Sequence, residues 1–572
     1  MKKYIGLSII ALGMGLASCD DFLDKLPDNR TDIDSKEKAV TLLVSAYPDH
    51  DYMLLTEYSS DNVDDYGARN PNTDRFLDQV YAWQDITESD NEDTESLWES
   101  CYNSIAAANQ ALIGLEGLDM NDDGVRHAKG EALLCRAYAH FILVNVFCQH
   151  YDPSNTQSLG IPYVTKLEDN IHATYERGTV VEDYQKIQAD LEEGLKYIGE
   201  SNYTVAKYHF NKAAAYAFAT RFYLFSQQWQ KAIESANMVL GTSPSTMLRD
   251  WRVQAGMTQT YAAISQHYVD ATLNCNLLLH TAYSNMGLGF GPYFVNSRYS
   301  HGAYLAGNED GKALPALWGS TKDGYYMAMK TYSATNLDKS IFWKLPYLFE
   351  YTDPVAGIGY RHTVYPGLTS DETLLSRAEA YINLGQYDKA CADMTLWVRN
   401  ISKDAANDGT VLDADSIKEF FAGIDYSYER SNESGVVQET KITQSTLKKH
   451  LHPKFDIGAE GDTKESLLQA VLAMRRVETL QAGLRWFDVK RYGIVIPRRL
   501  MDANGAPAKC YDWLEVDDSR RAIQLPKKVV AAGMTANPRV GGTTVGSSQV
   551  VVPANPFENE NVQEIEDKYL VD

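Results

Sequence analysis

Residues 223–232 read YLFSQQWQKA, and residues 381–390 repeat the pattern as YINLGQYDKA. The leading Tyr, the Gln before the second aromatic residue and the Lys-Ala pair keep the same spacing in both copies. A run with small Ala residues precedes each copy, and residues 231–240 and 389–398 follow with the apolar spacing of another helix. Small residues on one helix, a tight turn, an aromatic residue and Ala on the next helix are typical of tetratricopeptide-like hairpins. The repeat therefore predicts a mostly α-helical fold.

Further segments with helical spacing extend this frame. Apolar residues recur at helical intervals in 96–115, 125–147 and 184–198, and Gly, Asn, Ser and Tyr dominate the segments outside the helical runs. Loops this long inside a compact domain are uncommon unless they serve a function. We predict a mostly α fold, a tetratricopeptide-like helical hairpin scaffold with long loop-rich lobes and a few short strands. The helical repeats lie at about 95–240 and 370–493, and the loop-rich segments at about 57–93, 241–369 and 503–548.

The overall composition argues against a nucleic acid partner and against a zinc site. The 572 residues carry a formal net charge of −24, with a mean hydropathy of −0.35. A charge of this sign repels nucleic acid phosphates, so we expect no nucleic acid partner. The cysteines are scattered, with no CxxC pair and no His at metal-ligand spacing, which disfavours a zinc site. Tyr occurs 37 times against 17 for Phe, and its flat ring with a polar edge suits surfaces that hold ligands beside water.

The N-terminal residues carry the features of an export signal. Lys2 and Lys3 precede a run of almost wholly apolar residues up to Leu16, and small residues then lead to Cys19. A charged start, a short apolar core and a small-residue cleavage region are typical of a secretory signal. The cysteine makes this stretch resemble the lipobox of bacterial lipoproteins, which implies a signal peptide at 1–18, a mature chain at 19–572 and lipidation of Cys19. We expect attachment to a membrane through lipid, with plain secretion as the alternative.

The chain lacks the short motifs that mark common enzyme classes. It contains no GxSxG, HExxH or GxxxxGK[ST] sequence, so we predict that it is not an enzyme and uses no cofactor. Residues 119–124, which read DMNDDG, match the start of a calcium-binding EF-hand loop, but its twelfth position is Gly130 where a Glu is required. We therefore expect no metal site there and a cap for the helix that follows.

Four motifs, taken together, resemble the SusD/RagB-like nutrient-binding lipoproteins of Bacteroidetes. The longest is RVETLQAGLRWFDVKRYG at 476–493, and the others are WESCYNSIAAAN at 98–109, GEALLCRAY at 130–138 and ETLLSRAEA at 372–380. The resemblance runs in order from the lipobox almost to the C-terminus. It implies a surface lipoprotein that captures an oligosaccharide and delivers it to a SusC-like TonB-dependent barrel transporter of the outer membrane.

The same resemblance leaves the ligand and the exact role open. The acidic stretch at 20–24 is similar to the surface-export signal of Bacteroidetes lipoproteins, which implies the extracellular face of the outer membrane. A peptide-binding member of the same class, a surface glycan hydrolase and a lid that only stabilises the barrel are the alternatives. Sequence motifs do not separate these readings, because fold and composition alone do not determine function.

The long C-terminal motif predicts architecture rather than chemistry. Arg476 and Arg485, together with Glu478 and Asp488, place opposite charges beside an apolar strip. An Arg side chain that is paired with carboxylates can be buried between helices. We therefore predict buried, paired charges with a structural role.

Three groups of aromatic and polar residues in the loop-rich segments are candidates for ligand contact. Sugar rings pack their C–H faces on aromatic rings, and their hydroxyl groups need amide, carboxylate or Arg partners. We expect at least one of Trp83, Trp318 and Trp343 to be a ligand platform, the alternative being that all three are packing wedges. The candidates are Tyr58, Asp61, Tyr66, Arg69, Asn70 and Trp83 in the first group, Tyr283, Asn285, Tyr293 and Arg298 in the second, and Trp318 and Trp343 in the third.

Overall fold

Helices dominate the part of the chain that the structure describes. The computed structural model describes residues 33–67, 70–167, 175–199, 203–292, 297–311, 313, 317, 324–327, 329–334, 337–427 and 445–539. The predicted signal peptide and Cys19 lie outside these residues. The α-helices are α1 (Lys36–Leu43), α2 (Met53–Ser59), α3 (Arg75–Tyr81), α4 (Thr94–Leu115), α5 (Asp123–Phe147), α6 (Val180–Tyr197), α7 (Lys212–Phe225), α8 (Trp229–Leu240), α9 (Trp251–Gly256), α10 (Tyr261–Tyr268), α11 (Met286–Gly289), α12 (Ala303–Asn308), α13 (Ser370–Asn383), α14 (Tyr387–Ile401), α15 (Lys403–Asp408), α16 (Ala414–Ala422), α17 (Thr463–Glu478), α18 (Arg485–Arg491) and α19 (Lys527–Ala531).

The two sequence repeats form two neighbouring helical hairpins, α7–α8 and α13–α14, and α13 packs on α8. Both turns close in the same way. The backbone N–H of Gln228 donates to the carbonyl of Tyr223 at 2.8 Å, and that of Gln386 donates to Tyr381 at 2.9 Å. The preceding residue is left-handed in each turn, with φ of 61° at Gln227 and 70° at Gly385, as helix ends of this type require. The prediction of a mostly helical fold is confirmed.

Small side chains explain how closely these helices approach. In α7 the alanines at 214, 215, 217 and 219 are all buried, and α5 and α6 pack against each other in the same part of the frame. The aromatic rings of Tyr138 and Phe141 in α5 pack against those of Phe218 and Phe222 in α7, with the Phe141 and Phe218 centroids 5.5 Å apart. The frame is thus held by a continuous apolar core, the main source of its stability.

The EF-hand-like stretch serves as a helix cap. The Asp122 carboxylate accepts a hydrogen bond of 3.0 Å from the backbone N–H of Val125 at the start of α5. It also binds Lys36 Nζ at 3.0 Å, which ties α1 to this point. The predicted cap is therefore confirmed.

The described residues also form three small sheets. The strands are β1 (Asp64–Asp65), β2 (Asn276–Tyr283), β3 (Tyr299–Ser300), β4 (Met329–Ala334), β5 (Leu337–Phe342), β6 (Leu348–Asp353), β7 (Ile358–Thr369), β8 (Ile496–Met501) and β9 (Pro507–Leu514). Their orders are β3-β1-β8-β9, β2-β7-β6 and β4-β5. β7 leads directly into α13, so the sheet β2-β7-β6 is rigidly attached to the second hairpin.

Arg476, Arg485 and Asp488 of the C-terminal motif are buried in ion pairs, and the two arginines bind carboxylates from distant parts of the chain. Arg485 binds Asp61 with two hydrogen bonds of 2.8 Å, and Arg476 binds Glu309 at 3.1 Å. Asp488 instead accepts from Arg475 at 3.0 Å. Because α17 ends at Glu478 and a new helix begins at Arg485, the motif does not present its charges along one helix face.

These pairings are electrostatically strong. Burial alone would raise the pKa of Asp61, but the guanidinium groups of Arg476 and Arg485 hold that pKa well below its usual range. Burial acts in the same way on Glu309, yet Lys449, Arg499 and Arg476 lower its pKa to about 2. The carboxylates therefore stay ionised in the interior because cations surround them.

The first described residues pack against the C-terminal end of α4. The Ile33 side chain packs so closely on Gly114 that a Cβ there would lie 2.3 Å from it. From this point α1 packs on α4 and α5, and the chain then reaches Ser100, whose hydroxyl accepts from the backbone N–H of Asp49 at 2.8 Å. In the described residues no helix combines the length and apolarity needed to span a bilayer.

Candidate ligand-binding site

The described residues of the first candidate group are buried inside the loop-rich part. Tyr58 and Tyr66 are each 1% exposed, and Asn70 is fully enclosed. The Asn70 amide donates to the carbonyls of Ser297 and Asp338, both at 3.1 Å. Together with Asp61, which binds Arg485, these side chains hold the lobe together and offer no surface to a ligand. Arg69 lies outside the described residues.

Trp83 packs as a wedge. Its indole Nε1 donates to the carbonyl of Ser59 at 2.8 Å, and its ring lies 3.8 Å from the guanidinium carbon of Arg498. The residue is 5% exposed and has a φ of 52°, a conformation that a bulky side chain adopts only where its surroundings enforce it. These contacts place Trp83 in the packing of the lobe.

The second and third groups are distributed between the interior and the surface. Arg298 makes a bidentate pair with the buried Asp65, with both distances 2.8 Å. Tyr283 and Asn285 are half-buried near the end of β2. Trp343 is half-buried directly after β5. Tyr293 and Trp318 lie outside the described residues, so ligand contact by them stays a prediction.

Tyr283 belongs to a row of rings that crosses the sheet β2-β7-β6. It pairs with His362 of β7 in the antiparallel register and with His50 through a parallel bridge on its other side. The ring centroids of His50 and Tyr283 are 4.8 Å apart, those of Tyr283 and Tyr360 4.7 Å, and those of Tyr360 and His362 6.4 Å. We call these four residues, His50, Tyr283, Tyr360 and His362, the aromatic strip.

The aromatic strip lies on the solvent side of the sheet. Side chains alternate between the two faces of a strand, and in β7 the half-buried Tyr360 and His362 alternate with the buried Thr363 and Tyr365 beyond them. Across from them in β2, Thr281 is exposed. The four rings therefore form a continuous, partly open surface on a rigid support.

Polar groups border the strip at both ends. The exposed carboxylate of Glu350 accepts a hydrogen bond from Tyr360 and raises the pKa of that hydroxyl to about 12. At the other end Asp49 lies 2.9 Å from His50 Nδ1, and this contact lowers the pKa of Asp49. Carboxylates next to aromatic faces are groups that fix the orientation of a polar ligand.

The strip residues His50, Tyr360 and His362 were not among the sequence candidates. The alternation of residues 360–364, which read YRHTV, was a signal for a strand with one aromatic face. His50 carried no such signal, because it joins the strip only through a single bridge to a strand more than 230 positions later.

The geometry supports binding by stacking. Aromatic rings offer a large flat contact area, and the sheet holds them with little remaining freedom. Across the described residues the structure contains no group of three or more His, Cys, Asp or Glu side chains arranged to hold a metal ion.

Comparison with known proteins shows similarity in part of the sequence and in the fold. Residues 21–224 match the SusD-like family model described as starch-binding associating with outer membrane. Over 162 residues the chain is 26% identical to SusD-like protein P2 of Formosa agariphila, a match that covers 28% of this chain and 30% of that relative's length. The fold is similar to that of a SusD superfamily protein from Bacteroides vulgatus, with a TM-score of 0.59, 19% identity and coverage of 89% of this chain and 99% of the other. A SusD-like carbohydrate binding protein from the same species has a TM-score of 0.52, 15% identity and coverage of 82% and 86%.

A helical frame that carries a loop-rich lobe is thus an architecture shared with solved structures over almost the whole described chain. The chain is thus similar to SusD-like proteins in the sequence of residues 21–224 and in its fold.

Proposed function

We propose that this protein captures an oligosaccharide on the aromatic strip. The observation that carries the proposal is the row of four rings on the solvent face of one sheet, with centroid spacings of 4.8, 4.7 and 6.4 Å. A chain of sugar rings presents a series of apolar C–H faces, which such a row can contact together. Glu350 and Asp49 supply acceptors for sugar hydroxyl groups at the two ends.

Two further findings support a sugar as the ligand. The matching family model is described as starch-binding, and one solved structure with the same fold is a carbohydrate binding protein. The cellular role then follows from the resemblance of the sequence. The protein would be anchored through lipid at Cys19, on the extracellular face of the outer membrane, and would pass its ligand to a SusC-like TonB-dependent barrel.

Calorimetry with the mature protein tests the ligand proposal. The panel is maltoheptaose, laminarin oligosaccharides and a set of short peptides. Replacing one ring of the strip, in Tyr283→Ala or Tyr360→Ala, should weaken sugar binding roughly 3- to 10-fold, the worth of one stacked aromatic contact. The melting temperature should change little, because both side chains are half-buried.

Tyr351→Ala is the matched control for these variants. Tyr351 is 57% exposed and pairs with Gly359 on the opposite face of the sheet, so its loss should leave binding unchanged. Equal affinities for wild type and strip variants, or an equal loss in Tyr351→Ala, would contradict the proposal. Heat with peptides and none with sugars would favour the peptide-binding alternative.

The anchor and the transporter partner need separate measurements. Metabolic labelling with an alkyne fatty acid should mark the wild type expressed in a Bacteroides host and leave Cys19→Ala unmarked. Affinity purification of the full-length protein from outer membranes should recover a TonB-dependent barrel. Labelling of Cys19→Ala, or purification without a barrel, would remove the corresponding part of the proposal.

A further inference from the structure

Two buried carboxyl groups adjoin the aromatic strip. Asp51 directly follows the strip residue His50, and Ser284 directly follows Tyr283. Ser284 Oγ lies 2.9 Å from Oε1 of Glu92, and the backbone N–H of Asn285 donates to Oε2 of Glu92 at 2.6 Å. The Glu92 carboxyl group therefore fixes the backbone at the point where β2 leaves the sheet.

Asp51 lies on the other side of the same hydroxyl group. Its Oδ1 accepts from the backbone N–H of Met53 at 2.7 Å, and the Ser284 hydroxyl also interacts with its carboxyl group. None of the described residues donates a hydrogen bond to Oδ2, which is enclosed. Asp51 and Glu92 are each 1% exposed, so Asp51, Ser284 and Glu92 form a buried polar chain that ties the segment of His50 to the segment of Tyr283.

The surroundings of this chain favour a proton on it. Burial raises the pKa of Asp51 to about 6, and burial together with the charge of Asp51 raises the pKa of Glu92 well above its usual range. Within the described part of the chain, neither carboxyl group forms an ion pair with Lys or Arg. The titratable groups that face the two carboxyls are His50, Tyr52, Tyr58, Asp90 and Tyr365.

The hydrogen bonds fit one shared proton. Ser284 Oγ accepts from the backbone N–H of Met286 at 3.2 Å and has one proton to donate. If Glu92 is protonated, its hydroxyl donates to Ser284 Oγ, and Ser284 in turn donates to the Asp51 carboxylate. One proton on Glu92 thus lets Ser284 connect the two carboxyl groups, whereas two ionised carboxyl groups would repel each other in a site of low dielectric constant.

We propose that Glu92 and Asp51 are positioning residues for ligand binding, and that one proton shared along the chain Asp51–Ser284–Glu92 holds His50 and Tyr283 in the aromatic strip. This inference rests on the proposed function of the strip. A group whose pKa is raised by folding contributes its full stability at low pH and loses it as the pH rises through the folded pKa. The strip should therefore be most ordered at low pH and loosen as the rising pH removes the last proton of the pair.

Hydrogen–deuterium exchange of the ligand-free protein tests this directly. After correction for the intrinsic pH dependence, peptides covering 276–292 should exchange at least 10-fold faster at pH 9 than at pH 6. Glu92→Gln should stay protected at both pH values, because the Gln side chain keeps the bonding pattern of a protonated Glu and removes the repulsion. Glu99→Gln, an equal charge change at an exposed position of α4, is the control and should behave as wild type.

The same variants separate this inference from the proposed function. If maltoheptaose binds, its affinity should fall with pH in wild type and Glu99→Gln and stay constant in Glu92→Gln. If no sugar binds, the proposed function fails, and exchange alone decides the positioning role. Identical pH dependence in wild type and Glu92→Gln, or an unprotected Glu92→Gln at pH 6, would overturn it. If Glu92→Gln does not fold, Asp51→Asn removes the same repulsion and takes its place.

Discussion

The guanidinium group of Arg485 donates two hydrogen bonds of 2.8 Å to the carboxylate of Asp61, which precedes it by 424 positions. Both side chains are buried, and the planar guanidinium matches the carboxylate in the bidentate geometry that Lys cannot reproduce. Arg476 lies 3.6 Å from the same carboxylate. Two arginines of the C-terminal motif thus converge on one anion near the start of the chain.

Breaking this pair should destabilise the whole protein. We expect Arg485→Ala to lower the free energy of unfolding by about 3–5 kcal/mol, since it leaves a buried carboxylate with one cation fewer. Chemical denaturation measures the effect. The exposed pair of Arg126 and Asp123, 3.8 Å apart, provides the control, and Arg126→Ala should cost less than about 1 kcal/mol. Equal effects of the two substitutions would contradict a structural role of Arg485.

Trp83 should affect stability rather than binding. Removing its ring in Trp83→Ala leaves a cavity beside Arg498 and removes one of the two hydrogen bonds to the Ser59 carbonyl, and we expect a loss of about 3–5 kcal/mol. Sugar affinity of the folded protein should be unchanged by calorimetry. The same measurement on Trp318→Ala and Trp343→Ala tests the remaining prediction of a tryptophan platform, which normal binding by both variants would refute.

A buried histidine should make the protein sensitive to acid. His140 accepts from the backbone N–H of Val164 at 3.1 Å and bonds the carbonyl of Arg136 at 2.8 Å. Burial lowers its pKa to about 3. Its stabilising effect is complete above the unfolded pKa near 6.5 and is lost as the pH falls towards 3, on the order of 4 kcal/mol in total.

Thermal unfolding between pH 7 and pH 4 measures this contribution. The melting temperature of His140→Gln should fall less steeply with decreasing pH than that of the wild type, because Gln does not gain a proton. His450→Gln is the control, since His450 is partly exposed and paired with Glu460 at 2.6 Å. A parallel decline in wild type and His140→Gln would show that other groups dominate.

The cap at Asp122 should contribute stability without calcium. Asp122→Ala removes the hydrogen bond to Val125 and the ion pair to Lys36, and we expect a cost of about 0.5–2 kcal/mol. Addition of calcium should leave the melting temperature of the wild type unchanged, because position twelve of the loop-like stretch is Gly130. A rise in melting temperature with calcium that Asp122→Ala abolishes would restore the metal-binding interpretation.

The helical frame could be predicted because its signals are local. The shared pattern around Trp229 and Tyr387 encodes both the turn and the second helix of each hairpin, and the predicted second helices differ from α8 and α14 by only a few residues at their ends. The structure of the irregular segments was harder to predict from the sequence. Part of 57–93 forms α3, and three short segments of 241–369 form the sheet β2-β7-β6, whose strand pairing depends on residues far apart in sequence.

The candidate site, too, could be predicted from sequence only where its signals are local. Tyr58, Asp61 and Asn70 are residue types that commonly contact ligands. Their burial becomes visible only through contacts with residues far away in the sequence. Arg485 neutralises Asp61, and the Asn70 amide is used by two carbonyls more than 220 positions away. Tyr283 was identified from its own segment, whereas Tyr360 and His50 become its neighbours through pairing that no local pattern encodes.

The packing of Ile33 on Gly114 determines how the molecule responds to mechanical load. A pull on the residues before Ile33 acts first on this contact, then on the ion pair of Lys36 with Asp122 and on the packing of α1. Ser100, which holds the segment of His50, lies 14 residues further towards the start of α4, about 20 Å along the helix axis. Tension on the N-terminal end therefore has to peel away α1 before it reaches the aromatic strip, so the strip is shielded from load applied at that end.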